Sequence, residues 1–145
     1  MATSSLRAGS PRESSIDAAL LVLRLTLGIL ILIHGLTKLP PPPAFIVGAV
    51  TKAGLPDILA YGVYIGEIVA PILLIVGVWT RLAALLIVVN MVFAIVLVGA
   101  PGLHSLNKYG GYALELEAFY LFTALALALT GAGRYSIGGR YGPLN

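Results

Sequence analysis

The groups able to do chemistry in this chain are few, and most stand in apolar surroundings. Glu67 lies about ten residues into the apolar stretch 58–79. At that depth a carboxylate is disfavoured unless a cation pairs with it, and such groups usually mark function. Pro71 follows four residues later. It has no N–H to give the Glu67 carbonyl, so the helix must kink or open there. Tyr64, one turn before Glu67, shares its face and can donate a hydrogen bond.

In the preceding apolar stretch His34 and Lys38 are four apart and therefore share a helical face, with Arg24, Gly28 and Gly35 close to it. Glycines on such a face let a second backbone approach closely. Lys38, near the end of its stretch, reads first as an interface anchor. Arg24 would either snorkel to the opposite interface or turn into the bundle. Asn90 is the one strongly polar residue of the third stretch, as helix-to-helix glue or part of the same cluster. Glu115 and Glu117 open the fourth; two residues apart, they point about 200° away from each other, so only one faces inward comfortably.

Together His34, Lys38, Glu67, Asn90 and one of the two later glutamates would form a polar pocket, with Tyr64 and Tyr112 nearby. Acid, amide, imidazole and phenol around an apolar cavity suit a small lipophilic molecule with carbonyl or hydroxyl groups. A quinone fits, and a carboxylate or imidazole could handle the proton that accompanies its reduction.

These residues need helices in lipid to position them. Hydrophobic residues make up 59% of the 145 and charged residues 10%, with a mean hydropathy of +0.98. Soluble domains carry roughly 25% charged residues. Four apolar stretches, 18–39, 58–79, 82–100 and 112–132, each approach the ~20 residues that cross a bilayer as a helix. The predicted fold is an all-α membrane protein, a four-transmembrane-helix antiparallel bundle. It divides into a Ser-rich disordered cytoplasmic tail at 1–16, a transmembrane domain at 17–133 and a cytoplasmic tail at 134–145. Arg7, Arg12, Arg81, Arg134 and Arg140 fall on the side of the termini, against Lys38, Lys52 and Lys108 on the other; this favours cytoplasmic termini. Pro40-Pro41-Pro42-Pro43 must run extended, and 44–53 is expected to lie along the outer interface as a short helix. The pocket therefore falls in the outer half of the bundle.

Tyr61-Gly62-Val63-Tyr64-Ile65-Gly66-Glu67-Ile68-Val69-Ala70 and Tyr109-Gly110-Gly111-Tyr112-Ala113-Leu114-Glu115-Leu116-Glu117-Ala118 share five of ten positions. A duplicated helical hairpin would produce this pattern. It would make Glu67 and Glu115 equivalent, facing each other across the bundle, and leave Glu117 to the headgroups or the reverse.

The chain resembles the DoxX family of small bacterial membrane proteins. The shared elements are Leu23-Arg24-Leu25 with Gly28, the run His34-Gly35-Leu36-Thr37-Lys38-Leu39, Gly66-Glu67, the run Gly77-Val78-Trp79-Thr80-Arg81-Leu82-Ala83-Ala84, Met91, and Glu115 before Gly131-Ala132-Gly133-Arg134-Tyr135-Ser136. The resemblance implies a four-helix fold in the bacterial cytoplasmic membrane and a loose link to redox systems, including a subunit of a thiosulfate:quinone oxidoreductase. The family often continues the last motif as Ser-Leu-Asp; here it reads Ser136-Ile137-Gly138, so any contact made by that Asp is missing.

Several function classes fall away. There is no basic stripe for nucleic acid and no cysteine for thiolate chemistry or iron–sulfur ligation, and no metal site is predicted. No flavin or nucleotide motif is present, so the chain is not expected to be an enzyme alone; electrons would come from a partner. The first expectation is a quinone-binding subunit of a redox complex. The alternatives are a non-catalytic binding or assembly protein whose pocket holds a lipid or stabilises a partner's membrane segment, a small-solute transporter, and, remotely, a haem held by His34 and His104; a protein partner or a homo-oligomer is expected.

Overall fold

The computed structural model describes residues 11–145 as an all-α bundle. Its main helices among the described residues are α1 (Pro11–Leu36), α2 (Ala44–Lys52), α3 (Asp57–Val76), α4 (Thr80–Val98) and α5 (Glu115–Thr130). Among the described residues three helices, α1, α3 and α4, are long and apolar enough to cross a membrane. The fourth, α5, has 16 residues and rises about 24 Å. It is shorter than the expected 112–132 because the chain first makes a turn at Asn107–Gly111, closed by the Leu106–Tyr112 bridge, and Gly131 ends it at φ 82°.

The predicted disordered tail is corrected at its inner end. Helix α1 includes residues 11–16. The rest of that tail, with Arg7, lies outside the described residues.

α1 packs on α3, α3 on α4, α4 on α5, and α5 closes back on α1. Leu27, Ile31, Leu74, Ile87, Met91, Tyr120 and Leu127 fill the centre. The outward faces are apolar too: Val22, Ile33, Val89, Phe119 and Phe122 are exposed. A bundle apolar inside and out belongs in lipid. The short helix expected at 44–53 is present as α2, and it packs beside the start of α3 and the end of α4.

Residues 131–145 are not a loose tail. They fold across the end of the bundle, tied down by buried polar groups. Arg24 does not snorkel; it is 2% exposed and donates to the carbonyls of Ala132 (3.1 Å) and Tyr135 (2.7 Å). Gly77 makes room for it. That residue ends α3 at φ 75°, and a Cβ there would lie 2.5 Å from the Arg24 guanidinium. Asp17, also buried, accepts from the Arg134 backbone N–H (3.1 Å) and holds the Arg140 guanidinium at 2.7 Å, which pushes the Arg140 pKa up. Arg81 reaches the same segment, donating from Nε to the Asn145 carbonyl at 3.2 Å. At Gly138 a Cβ would meet the Asn145 side chain at 2.5 Å. That side chain accepts from the Thr80 N–H and donates to the Gly139 carbonyl.

Candidate functional site

The site lies at the end of the bundle opposite this cap, and its elements follow from local sequence. Helix α3 is not a uniform α-helix: Ile65–Val69 is π-helical, with the Ala70 N–H donating to the Ile65 carbonyl. Pro71 is the physical cause, since it can offer no N–H to Glu67. Gly35 of α1 packs on the opened turn, where a Cβ would fall on the Glu67 carbonyl. Gly28 does the same one level lower, against Ile75 and the Pro71 carbonyl. The glycines that share the His34–Lys38 face are thus what bring α1 close to α3. A second π-helical turn, Ala94–Val98, ends α4 beside the site.

Lys38 turns inward. Its Nζ lies 2.6 Å from both oxygens of Glu67, the two side chains being 19% and 5% exposed. The expectation of an interface anchor is overturned because Glu67 is the nearest counter-charge and the chain leaves the helix at Leu36, freeing Lys38 to bend over it. Tyr64 fixes that bend by donating to the Lys38 carbonyl at 2.9 Å. Asn90 donates to Glu67 Oε1 at 3.4 Å, where Gly66 lets α4 approach.

The two later glutamates divide in the reverse of the order the repeat suggested. Glu117 lines the cavity with His34, Lys38, Glu67, Met91 and Tyr120. Glu115 is exposed at the first turn of α5 and accepts from Asn107 at 3.2 Å, so it does not face Glu67. The repeat aligns a residue in mid-helix with one at a helix start. Tyr112 also lies away from the site, exposed and donating to the Leu103 carbonyl at 3.1 Å. His34 stacks edge-on to Tyr120 at 6.3 Å between ring centroids. Tyr120, 6% exposed, went unnoticed in the sequence reading, yet it falls one turn after Glu117 on the same face. Structural residues Arg24, Arg81 and Arg134 belong to the cap, not to this site.

A cavity of about 710 Å³ opens from these groups between α2, α3, α4 and the start of α5. That lies within the roughly 300–1,000 Å³ typical of small-molecule sites. Its wall is mostly apolar, with His34, Lys38, Glu67, Asn90 and Glu117 as its polar part. A smaller recess of about 60 Å³ continues it toward Tyr120. Among the described residues no cluster of three His, Cys, Asp or Glu comes together for a metal ion.

The elements carrying this site also carry the family relationship. The DoxX family profile matches residues 19–100, from α1 to just past α4. The chain belongs to the DoxX family. An uncharacterised protein of Haemophilus influenzae is 30% identical over 119 residues, covering 82% of this chain and 87% of that protein. A Bacillus subtilis protein named "Putative oxidoreductase CatD" is 30% identical over 122 residues, covering 83% and 84%. No solved structure matches the chain. Within the DoxX match lie Arg24, Gly28, His34, Gly35, Lys38, Glu67, Pro71 and Asn90; Glu117 and Tyr120 lie beyond it.

Proposed function

We propose that this DoxX-family membrane protein is a redox-associated subunit that binds a quinone-like molecule beside the Lys38–Glu67 pair. The reading rests on one observation: a cavity of ligand size, apolar over most of its wall, carries its donors and acceptors at one end. Tyr120, His34 and Lys38 supply donors for a carbonyl oxygen, and Glu117 or Glu67 supplies an acceptor for a hydroxyl. Quinone reduction takes two electrons and two protons. The side chains would pass protons, whereas the electrons come from a separate redox protein. The oxidoreductase name of the Bacillus relative agrees with such a partner.

We read α5 as a fourth crossing, because its outward Phe119, Phe122 and Leu129 are exposed as lipid-facing residues would be. The location is then the bacterial plasma membrane with cytoplasmic termini, on the strength of the arginine distribution. A reporter fused after residue 145 should be active only in the cytoplasmic form.

The binding test is extraction of the protein in mild detergent, followed by mass spectrometry of retained small molecules and titration with a soluble quinone. Retained quinone, lost in Glu67→Gln, is expected. A stoichiometric protein partner with no quinone, and Glu67→Gln changing only that partner's abundance, would establish a non-catalytic assembly role instead.

A further inference from the structure

We infer that the ligand is a tailed membrane quinone and that it enters sideways from the bilayer, through the seam between α3 and α4. This rests on the quinone reading above and adds to it the tail and the route.

The cavity is not sealed within the bundle. Leu59 and Ile65 of α3 and Val89 and Phe93 of α4 line it, yet they are 51%, 51%, 53% and 49% exposed. The same side chains therefore border the cavity and the outer surface of two membrane-spanning helices. Such a wall is continuous with lipid. It carries no charge along this side, so a water-soluble ligand would gain nothing from the route, whereas a hydrocarbon chain loses no solvation on taking it.

Two glycines one turn apart give the seam its shape. At Gly62, which lines the cavity, a Cβ would meet no described atom within 4 Å, so the wall is open there. At Gly66 a Cβ would lie 2.5 Å from Asn90 Cγ, so the helices touch. The gap thus ends at Asn90 and Glu67, where a head group finds its polar partners. A tail attached to that head has an apolar exit past Gly62. The π-helical turns Ile65–Val69 and Ala94–Val98 lie on the two sides of this path.

The test compares two probes on the full chain in lipid nanodiscs, with empty nanodiscs subtracted: 2,3-dimethoxy-5-methyl-1,4-benzoquinone and the same ring with a decyl chain. Gly62→Leu grows into the gap from a Cβ that meets nothing within 4 Å, and Val89→Trp narrows it from the other wall. Each should weaken the decyl probe about tenfold or more and leave the tail-free probe within about twofold. If wild type binds both probes and neither substitution separates them, the tail and the route are wrong while the quinone reading stands. If wild type binds neither probe, the quinone reading fails and takes this inference with it. A photo-crosslinker at position 62 that captures phospholipid, undiminished by the decyl probe, would also overturn the inference, because the seam would then be an ordinary lipid groove.

Discussion

The two ends of the bundle both bury charge, and they do it in opposite ways. At the capped end Arg24 and Asp17 are enclosed by chain: their partners are the Ala132 and Tyr135 carbonyls, the Arg134 N–H and the Arg140 guanidinium. Gly77 and Gly138 clear space there, and the space is filled by Arg24, Ser136 and Asn145. At the other end Lys38 and Glu67 are equally tightly paired, but beside a cavity of about 710 Å³. Gly62 clears space there as well, and among the described residues a Cβ there would meet no atom within 4 Å. Buried charge surrounded by backbone partners stabilises a fold; buried charge at the edge of an apolar void is a candidate site.

The largest test of this contrast is Arg24→Met. It leaves two carbonyls without their charged donor and should cost about 3 kcal/mol or more. Thermal unfolding in detergent should show a markedly lowered Tm, with protease nicking after residue 130, and quinone affinity of the surviving folded fraction unchanged. Loss of affinity without loss of stability would erase the distinction between the two ends.

Glu67→Gln should destabilise by about 2–3 kcal/mol, since Lys38 is left without its counter-charge in a mostly buried position. The double variant Lys38→Met with Glu67→Gln separates stability from binding. It should regain most of the Tm and none of the binding. Recovery of both would make the pair purely structural.

Gly35→Ala comes next. Its methyl group would fall on the Glu67 carbonyl, and relief of that overlap should cost about 1–3 kcal/mol by pushing α1 from α3. A double-mutant cycle with Glu67→Gln should then show strong coupling.

The smallest effect sharpens the comparison most. Glu115→Gln, exposed and bonded only to Asn107 among the described residues, should change stability by less than about 0.5 kcal/mol and leave quinone titration unchanged. Glu117→Gln should leave stability similarly intact while weakening binding. Equal effects on binding would restore the repeat-based assignment of Glu115.

Much of this protein was legible from residue order alone. Apolar stretches of bilayer length locate α1, α3 and α4 because hydrocarbon leaves the backbone no alternative to helix. Pro71 four residues after Glu67 foretold an opened helix, since a missing N–H acts on its own helix. His34, Lys38, Gly35 and Glu67 were identifiable as unusual by type and depth.

What tertiary structure decided was direction and partnership. Lys38 could have reached headgroups, and its turn toward Glu67 depends on Tyr64 of another helix holding the chain end. The choice between Glu115 and Glu117 depended on where α5 begins, which the turn before it sets. The capped end was the least legible: Asp17 meets Arg140 across 123 positions of chain. Local spacing determines which residues share a helix face, because helix geometry is fixed by the backbone. It does not determine which face meets which, because that is settled by glycines, bends and counter-charges on other helices.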